Sequence, residues 1–275
     1  MAVVAAGPLE KMPVELGVDG RVRYQLSLGP QTVDVNAAIG RRLRLSYGGA
    51  IQCLGCGQGT RRSFRQGYCY QCSISLARCD YCVLQPTRCH YDRGTCREPQ
   101  WAAGYCLIPH HVYLSNTSGL KVGLTRGHQA LTRWIDQGAI QAVALWTAPS
   151  RRIAALLEQA ITAVIRDSTD WRGMLRGQTV PRDLLADAPA ARQALAQSGL
   201  NLAELGVTVI DSPNVQTIAY PVKRYPTALH SLNLDHQAVV EGVLEGVKAQ
   251  YLLLDCGVLN VRKFAGYQIQ WEILD

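Results

Sequence analysis

Nine of the chain's ten cysteines lie between Cys53 and Cys106, in a stretch rich in glycine and arginine that shows little apolar periodicity. A segment without a hydrophobic repeat cannot build a core of its own, so another kind of cross-link must order it. In a reducing compartment that link is a metal ion rather than a disulfide framework. The stretch opens with "CLGCGQGTRRSFRQGYCYQC", two Cys-x-x-Cys pairs (Cys53/Cys56 and Cys69/Cys72) separated by twelve residues. A Cys-x-x-Cys turn presents two sulfurs to one ion, and two such turns complete the tetrahedral shell that Zn²⁺ prefers. A redox motif needs one exposed pair of low pKa, which paired turns do not suggest.

The continuation "CDYCVLQPTRCHYDRGTC" adds Cys79, Cys82, Cys89 and Cys96, and Cys106 follows. These are more ligands than one tetrahedral ion uses. The spacing predicts a second zinc on Cys79, Cys82 and two of Cys89, Cys96 and Cys106. A crossed pairing, in which the first and third pairs share an ion, stays open, as does an iron–sulfur cluster on four of the later cysteines. His90 and His110 read as hydrogen-bonding residues. Cys256, in "YLLLDCGVL", reads as a small buried hydrophobe.

The net charge is +7, and its distribution is uneven. Between Gly40 and His110 there are ten arginines, no lysine and three acids, an excess equal to that of the whole chain. An Arg-rich, Lys-free segment is suited to bidentate phosphate contacts, so nucleic acid, DNA or RNA, is the expected partner. Arg61, Arg62, Arg65, Lys121, Arg126, Arg151 and Arg152 are the candidate contacts. No run approaches the ~18 apolar residues of a membrane span. The start "MAVVAAGPLEK" lacks a basic n-region and an adequate apolar h-region, so the expected location is the cytoplasm, with no membrane partner. No protein partner is inferable.

At 275 residues the chain is long enough for two or three units. The expected fold class is α+β: a zinc-ribbon-like module and a β-β-α-β-α domain, with β-rich N- and C-terminal segments. The division runs 1–50 (N-terminal β segment), 51–110 (Cys-rich module), 111–175 (β-β-α-β-α domain) and 176–275 (C-terminal helix and β-rich unit). In the first segment "RVRYQLSLG" and "RRLRLSYGG" read as paired strands. In the third, "HVYLS", "NTSG" and "LKVGLT" form a hairpin, "ALTRWIDQG" a short helix, "IQAVALWTA" a strand and "SRRIAALLEQAITAVIRD" a longer helix with Ser150 as N-cap. A helix follows in "PRDLLADAPAARQALAQSG". The tail reads as strands in "GVTVID", "TIAYPV", "AQYLLLD", "VLNVRKF" and "YQIQWEI", with a helix near "DHQAVVEGVLEG".

The segment "HVYLSNTSGLKVGLT…R…E" resembles the GIY-YIG nuclease superfamily, in its divergent branch whose second motif reads Tyr-Lys-Ile-Gly-x-Thr. The resemblance covers about 55 of the 275 residues and implies a three-stranded antiparallel sheet flanked by helices. It also implies phosphodiester hydrolysis with one divalent metal on a helical glutamate. By that likeness Tyr113 is the first-strand tyrosine, Gly123 and Thr125 match the second strand, Arg133 or Arg126 is the helix arginine, and Glu158 holds Mg²⁺ or Mn²⁺. Leu120 or Lys121 stands where the second tyrosine belongs. His128, in "TRGHQ", is an auxiliary base by its proximity in sequence. On a helical wheel Glu158 sits about 100° from the centre of the apolar stripe, at the border of the core. Arg151 and Arg152 occupy the first helical turn, where the macrodipole disfavours cations, and a phosphate there would relieve the conflict. Through "CGQGTRRSFRQGYCYQC", "CHYDRGTCREPQW", "KVGLTR", "RWIDQGA" and "VLNVRKFAGY" the whole chain is similar to a bacterial family catalogued as a domain of unknown function.

The expected function is thus that of a zinc-containing, nucleic-acid-binding protein with a divergent GIY-YIG-like domain, acting as a metal-dependent phosphodiester-cleaving endonuclease. Two alternatives stand beside it. One is a non-catalytic nucleic-acid binder that retains the fold without the chemistry. The other is an iron–sulfur or redox sensor.

Overall fold

Alternation along Val22–Leu28 buries Val22, Tyr24, Leu26 and Leu28 and leaves Arg23 and Gln25 exposed and Ser27 half-buried, the pattern of a strand with one dry face. The computed structural model describes residues 2–274. Their contacts divide into two units: one of 1–74, 175–177 and 219–275, the other of 75–174 and 178–218. The 51–110 segment therefore falls on both sides of a unit boundary.

In the first unit, β1 (Ala2–Pro8), β2 (Val14–Leu16), β3 (Val22–Leu28), β4 (Gln31–Asp34), β5 (Arg42–Gln52) and β6 (Gly59–Thr60) precede a short helix α1 (Tyr70–Ser75). Strands β2, β3 and β4 form a three-stranded sheet of their own, and β5 lies in a seven-stranded one. The two N-terminal runs are thus both strands, but they are not paired with each other. Each finds its neighbours elsewhere, because β3 closes a local hairpin with β4 while β5 takes partners from the C-terminal end of the chain.

The second unit begins with short 3-10 turns and α2 (Pro99–Tyr105), then β7 (His110–Asn116), β8 (Leu120–Arg126), α3 (Ala130–Asp136), β9 (Gln141–Ala148) and α4 (Arg151–Ile161). After these come α5 (Trp171–Leu175), α6 (Leu184–Gln197), β10 (Thr208–Val209) and β11 (Gln216–Thr217). The β-β-α-β-α order is as read from the sequence. The sheet has five strands, ordered β10-β9-β7-β8 with β11 also on β9. One face of β7, β8 and β9 (Val112, Leu114, Val122, Val143, Leu145) packs on Ala154, Leu157 and Ile161 of α4 and on Leu184, Ala188, Ala191 and Leu195 of α6. Ser150 caps α4 by accepting from the Ile153 N–H. That helix stops at Ile161, short of the run read to Asp167. The chain turns there so that the Arg166 carbonyl accepts from the Val122 N–H of β8 (2.9 Å).

Returning to the first unit, β12 (Val239–Lys248), β13 (Tyr251–Leu254), β14 (Gly257–Asn260) and β15 (Tyr267–Ile273) complete the seven-stranded sheet. The segment read as a helix near "DHQAVVEGVLEG" is the ten-residue strand β12. Its β-branched valines favour extended backbone, and its glycines admit close neighbours: a Cβ on Gly246 would stand 2.6 Å from Val222 Cα. Cys256 is exposed in the tight turn joining β13 and β14, so it is not the buried hydrophobe expected. The "GVTVID" and "TIAYPV" runs shrink to the two-residue strands β10 and β11, and "VLNVRKF" leaves β14 for a 3-10 turn at Val261–Phe264. No helix among the described residues is long and apolar enough to cross a membrane.

Candidate functional site

The first cysteine group assembles at the end of β5. The β5–β6 hairpin carries the Cys53–Cys56 turn, and a second turn, closed by reciprocal Phe64–Tyr68 backbone bonds, delivers Cys69 to the start of α1, which holds Cys72. Gly67, at φ +108°, is required there: a Cβ would meet the Leu54 Cδ1 at 2.7 Å. One ligand atom from each of Cys53, Cys56, Cys69 and Cys72 comes within 4.8 Å of the others, with the Cys56 and Cys69 sulfurs 3.9 Å apart. A tetrahedron with Zn–S of ~2.3 Å has sulfur edges of about 3.8 Å, so the four thiols fit a single zinc ion. The Cys69 N–H donates to the Cys53 sulfur (3.1 Å) and the Gly55 N–H does so at 3.4 Å. Burial pushes the Cys53 thiol up, but N–H donors from Cys69, Cys56 and Gly55 outweigh it and bring the pKa down to about 6. Burial and the neighbouring thiols push Cys72 up to about 12. A cluster that holds one thiolate easily and its protons elsewhere is what a cation displaces protons from.

The later cysteines behave differently. Cys82, Cys89, Cys96 and Cys106 line one enclosed cavity, while Cys79 is buried and does not line it. Among the described residues, the ligand atoms here that come within 4.8 Å of one another are those of Asp80, Cys82 and His90. Asp80 is engaged by Arg97 Nε (2.7 Å) and by the Cys82 N–H, and His90 Nδ1 meets Thr95 Oγ1 at 2.8 Å. Hydrogen bonding thus occupies His90, and also His110, whose Nδ1 donates to the Ile108 carbonyl (2.7 Å). Burial lowers the His110 pKa to about 4, which keeps its ring neutral.

On the sheet face opposite the α4/α6 core, antiparallel register sets Tyr113 across from Gly123 and Ser115 across from Lys121. A Cβ on Gly123 would lie 2.5 Å from the Tyr113 ring, so glycine is what lets that ring lie across β8. The Gln137 amide donates to the Tyr113 hydroxyl (2.7 Å) and accepts from Arg133 Nη2 (3.0 Å). Tyr113 is fully buried, edge-on to Trp134, and burial pushes its phenol up to about 12. At neutral pH this favours the protonated phenol, whose hydroxyl accepts from Gln137, which in turn accepts from Arg133. Lys121 is 4% exposed, and burial, reinforced by Arg133, drags its pKa down to about 8 against the pull of Glu158 and Asp167. Burial raises Glu158 to about 7; Asp167 adds to the shift, and Lys121 and Arg133 oppose it.

Tyr113 and Arg133 meet through Gln137, and Glu158 feels the charges of Asp167, Lys121 and Arg133; Gln137 and Asp167 were not singled out in the sequence. Gln137 had a signal, since it lies one turn beyond Arg133. Asp167 had none, because only the Arg166 contact with β8 carries it there. His128 is exposed on the 3-10 turn Gly127–Gln129. Arg126 lies over the Tyr105 ring (4.1 Å to its centre). Arg151 donates to the Val83 carbonyl (2.7 Å), and Arg152 pairs with Asp92 (2.8 Å). Those partners meet the cations of the first turn where a phosphate was expected. Arg61, Arg62 and Arg65 are exposed, and the first two line an open cleft of about 610 Å³ together with Lys263 and Tyr267.

No curated protein and no solved structure matches the chain. Residues 40–269 match the family described as "Protein of unknown function (DUF2797)". With most of its length inside that match, cysteine tetrad and Glu158 face included, the chain belongs to the DUF2797 family.

Proposed function

We propose that the chain is a zinc-containing nucleic-acid-binding protein whose second unit is a divergent GIY-YIG-like, metal-dependent phosphodiesterase. The observation that carries this reading is Glu158, whose ionisation burial and Asp167 oppose and Lys121 and Arg133 favour, together with the Tyr113–Gln137–Arg133 hydrogen bonds. The Asp167 charge adds to the cost of ionising Glu158, which a divalent cation would relieve, so Mg²⁺ or Mn²⁺ suits the site. Such an ion supplies Lewis-acid polarisation of a phosphate oxygen. Arg133, fixed by Gln137, is placed to stabilise negative charge on a cleaved phosphate. Lys121, with its pKa near 8, is poised to give or take a proton close to neutrality. The exposed Arg61, Arg62 and Arg65, with the first two on the cleft, support backbone binding that weakens with salt.

A second reading, binding without cleavage, is favoured by one feature: Leu120 or Lys121 stands in place of the second tyrosine, and the Lys121 charge acts on Glu158, where a metal cation would compete with it. An Mn²⁺-dependent assay on single- and double-stranded DNA and RNA, with Glu158→Ala as control, separates the two. Cleavage abolished by the substitution supports the enzyme. Salt-sensitive binding that ignores both metal and substitution retires the mechanism.

A further inference from the structure

The cleft that carries Arg61 and Arg62 is larger than a phosphate contact needs. At about 610 Å³ it has the size of a site that takes a whole nucleotide rather than a lone anion. Its floor is one face of the seven-stranded sheet. Register sets Ile51 of β5 across from Tyr267 of β15, and Tyr47, four residues before Ile51 on β5, shares that face. The Tyr47 and Tyr267 rings meet with 4.8 Å between centres; Tyr267 is buried, while Tyr47 keeps part of its surface open. A tyrosine ring braced by a second one is a platform on which another flat ring can stack.

Cations line the same cleft. Arg61 and Arg62 follow directly on β6, and Lys263 comes from the 3-10 turn Val261–Phe264. Among the described residues no acid pairs with any of the three. Arg62 lies over the Phe64 ring (5.5 Å) and the Lys263 ammonium over the Phe264 ring (5.1 Å). The acid on the cleft, Asp235, accepts from the Tyr267 hydroxyl (2.7 Å) and keeps a second oxygen for a donor such as a base amino group. The loop that carries Arg61 and Arg62 runs on through Arg65 and Gln66, whose backbones are left-handed at φ +47° and +62°, a costly conformation for residues with side chains. It is held by the Gly67 N–H donating to Ser63 Oγ (2.7 Å) and by Arg262 donating to Gln66 Oε1 (3.2 Å), and it sets Ser63 and Gln66 on the cleft. A duplex would offer such a cleft only its phosphates, because its bases are paired and stacked inward. An unpaired strand offers phosphates and open base faces together. We infer that this cleft is a site for single-stranded nucleic acid, in which an unpaired base stacks on Tyr47 and the flanking phosphates lie on Arg61, Arg62 and Lys263.

The inference rests on the reading that the chain binds nucleic acid and takes nothing from the cleavage chemistry of the second unit. Short fluorescent single strands of DNA and of RNA, and the matching duplexes, are titrated with the full chain and followed by anisotropy, without divalent metal so that cleavage does not intervene. Single strands should bind at least ~tenfold more tightly than duplexes, with the DNA and RNA arms separating the two sources of unpaired strand. Tyr47→Leu should weaken single-strand binding about tenfold and leave duplex binding unchanged. Arg61→Gln combined with Arg62→Gln should lower the slope of log affinity against log salt by about 1.4, at ~0.7 for each phosphate contact on a single strand. A readout that needs no substitution is the cross-link formed when a strand carrying iodouracil is irradiated on the wild-type chain, which should map to Tyr47. Equal affinity for single strands and duplexes, with cross-links only outside the cleft, would overturn the inference and leave nucleic-acid binding standing. A wild-type chain that binds neither kind of strand would overturn both.

Discussion

The two cysteine regions are neighbours in sequence and unlike in construction. Cys53–Cys72 orders itself: its sulfurs accept from N–H groups of its own turns, and its four thiols close on one another. The stretch from Cys79 to Cys106 is held from outside the thiols. Arg97 grips Asp80, the Glu98 carboxylate accepts from the Ala77 N–H (2.6 Å), and Arg151 and Arg152 of α4 reach Val83 and Asp92. Paired Cys-x-x-Cys turns carry their own geometry, whereas cysteines spaced seven to ten residues apart, such as Cys82, Cys89, Cys96 and Cys106, depend on the framework that surrounds them.

The largest expected effect falls on the self-contained region. Cys69→Ser should release its ion and strip hydrogen-exchange protection from residues 53–72 by several kcal/mol, on the scale of structural zinc sites. Residues 77–106 should keep their protection; equal loss in both would break the contrast.

Acid should act on the two units in opposite senses. In the tetrad, protons compete with a bound cation for the thiolates, so such an ion should leave as pH falls. Glu158 has a folded-state pKa raised to about 7, so the folded state binds its proton where the unfolded chain does not. Stability of the second unit, measured without divalent metal, should therefore fall as pH rises from about 4.5 to about 7, by up to ~3 kcal/mol. Glu158→Gln should remove that slope in unfolding curves followed at a series of pH values. A slope that persists would place its origin elsewhere.

Smaller effects grade the outside support. Arg151→Met removes a charged hydrogen bond and a ring contact and should cost about 2 kcal/mol, read as faster exchange across 77–106 with 53–72 unchanged. Arg152→Ala should cost ~0.5 kcal/mol or less, because its partner Asp92 is 73% exposed. Similar losses for the two would show that solvent reaches both ion contacts alike.

What was legible in the sequence was local. The hairpin of β7 and β8, the N-cap at Ser150, the apolar stripe of α4 and the Cys53–Cys72 tetrad all rest on residues within a few turns of each other, where propensity and spacing act directly. The misread segments rest on distant neighbours. Val239–Lys248 carries valines and glycines that either period accommodates, and pairing with β5 and β13 made it a strand. Cys256 looked apolar by its company and was left outside by a two-residue turn.

From spacing alone it followed that Cys53, Cys56, Cys69 and Cys72 would gather into a tetrad able to hold a metal ion, and that a helical glutamate would border the sheet domain's core. Tertiary structure decided the rest of the site: Asp167 reaches it through the pairing of Arg166 with β8, and Lys121 is buried because β8 turns that face inward. It also decided that Arg151 serves the cysteine segment, through contacts to Val83 and Cys106. Spacing fixes which atoms one short turn can bring together. Burial and charge, which set the protonation of Glu158 and Lys121, exist only once distant segments have packed.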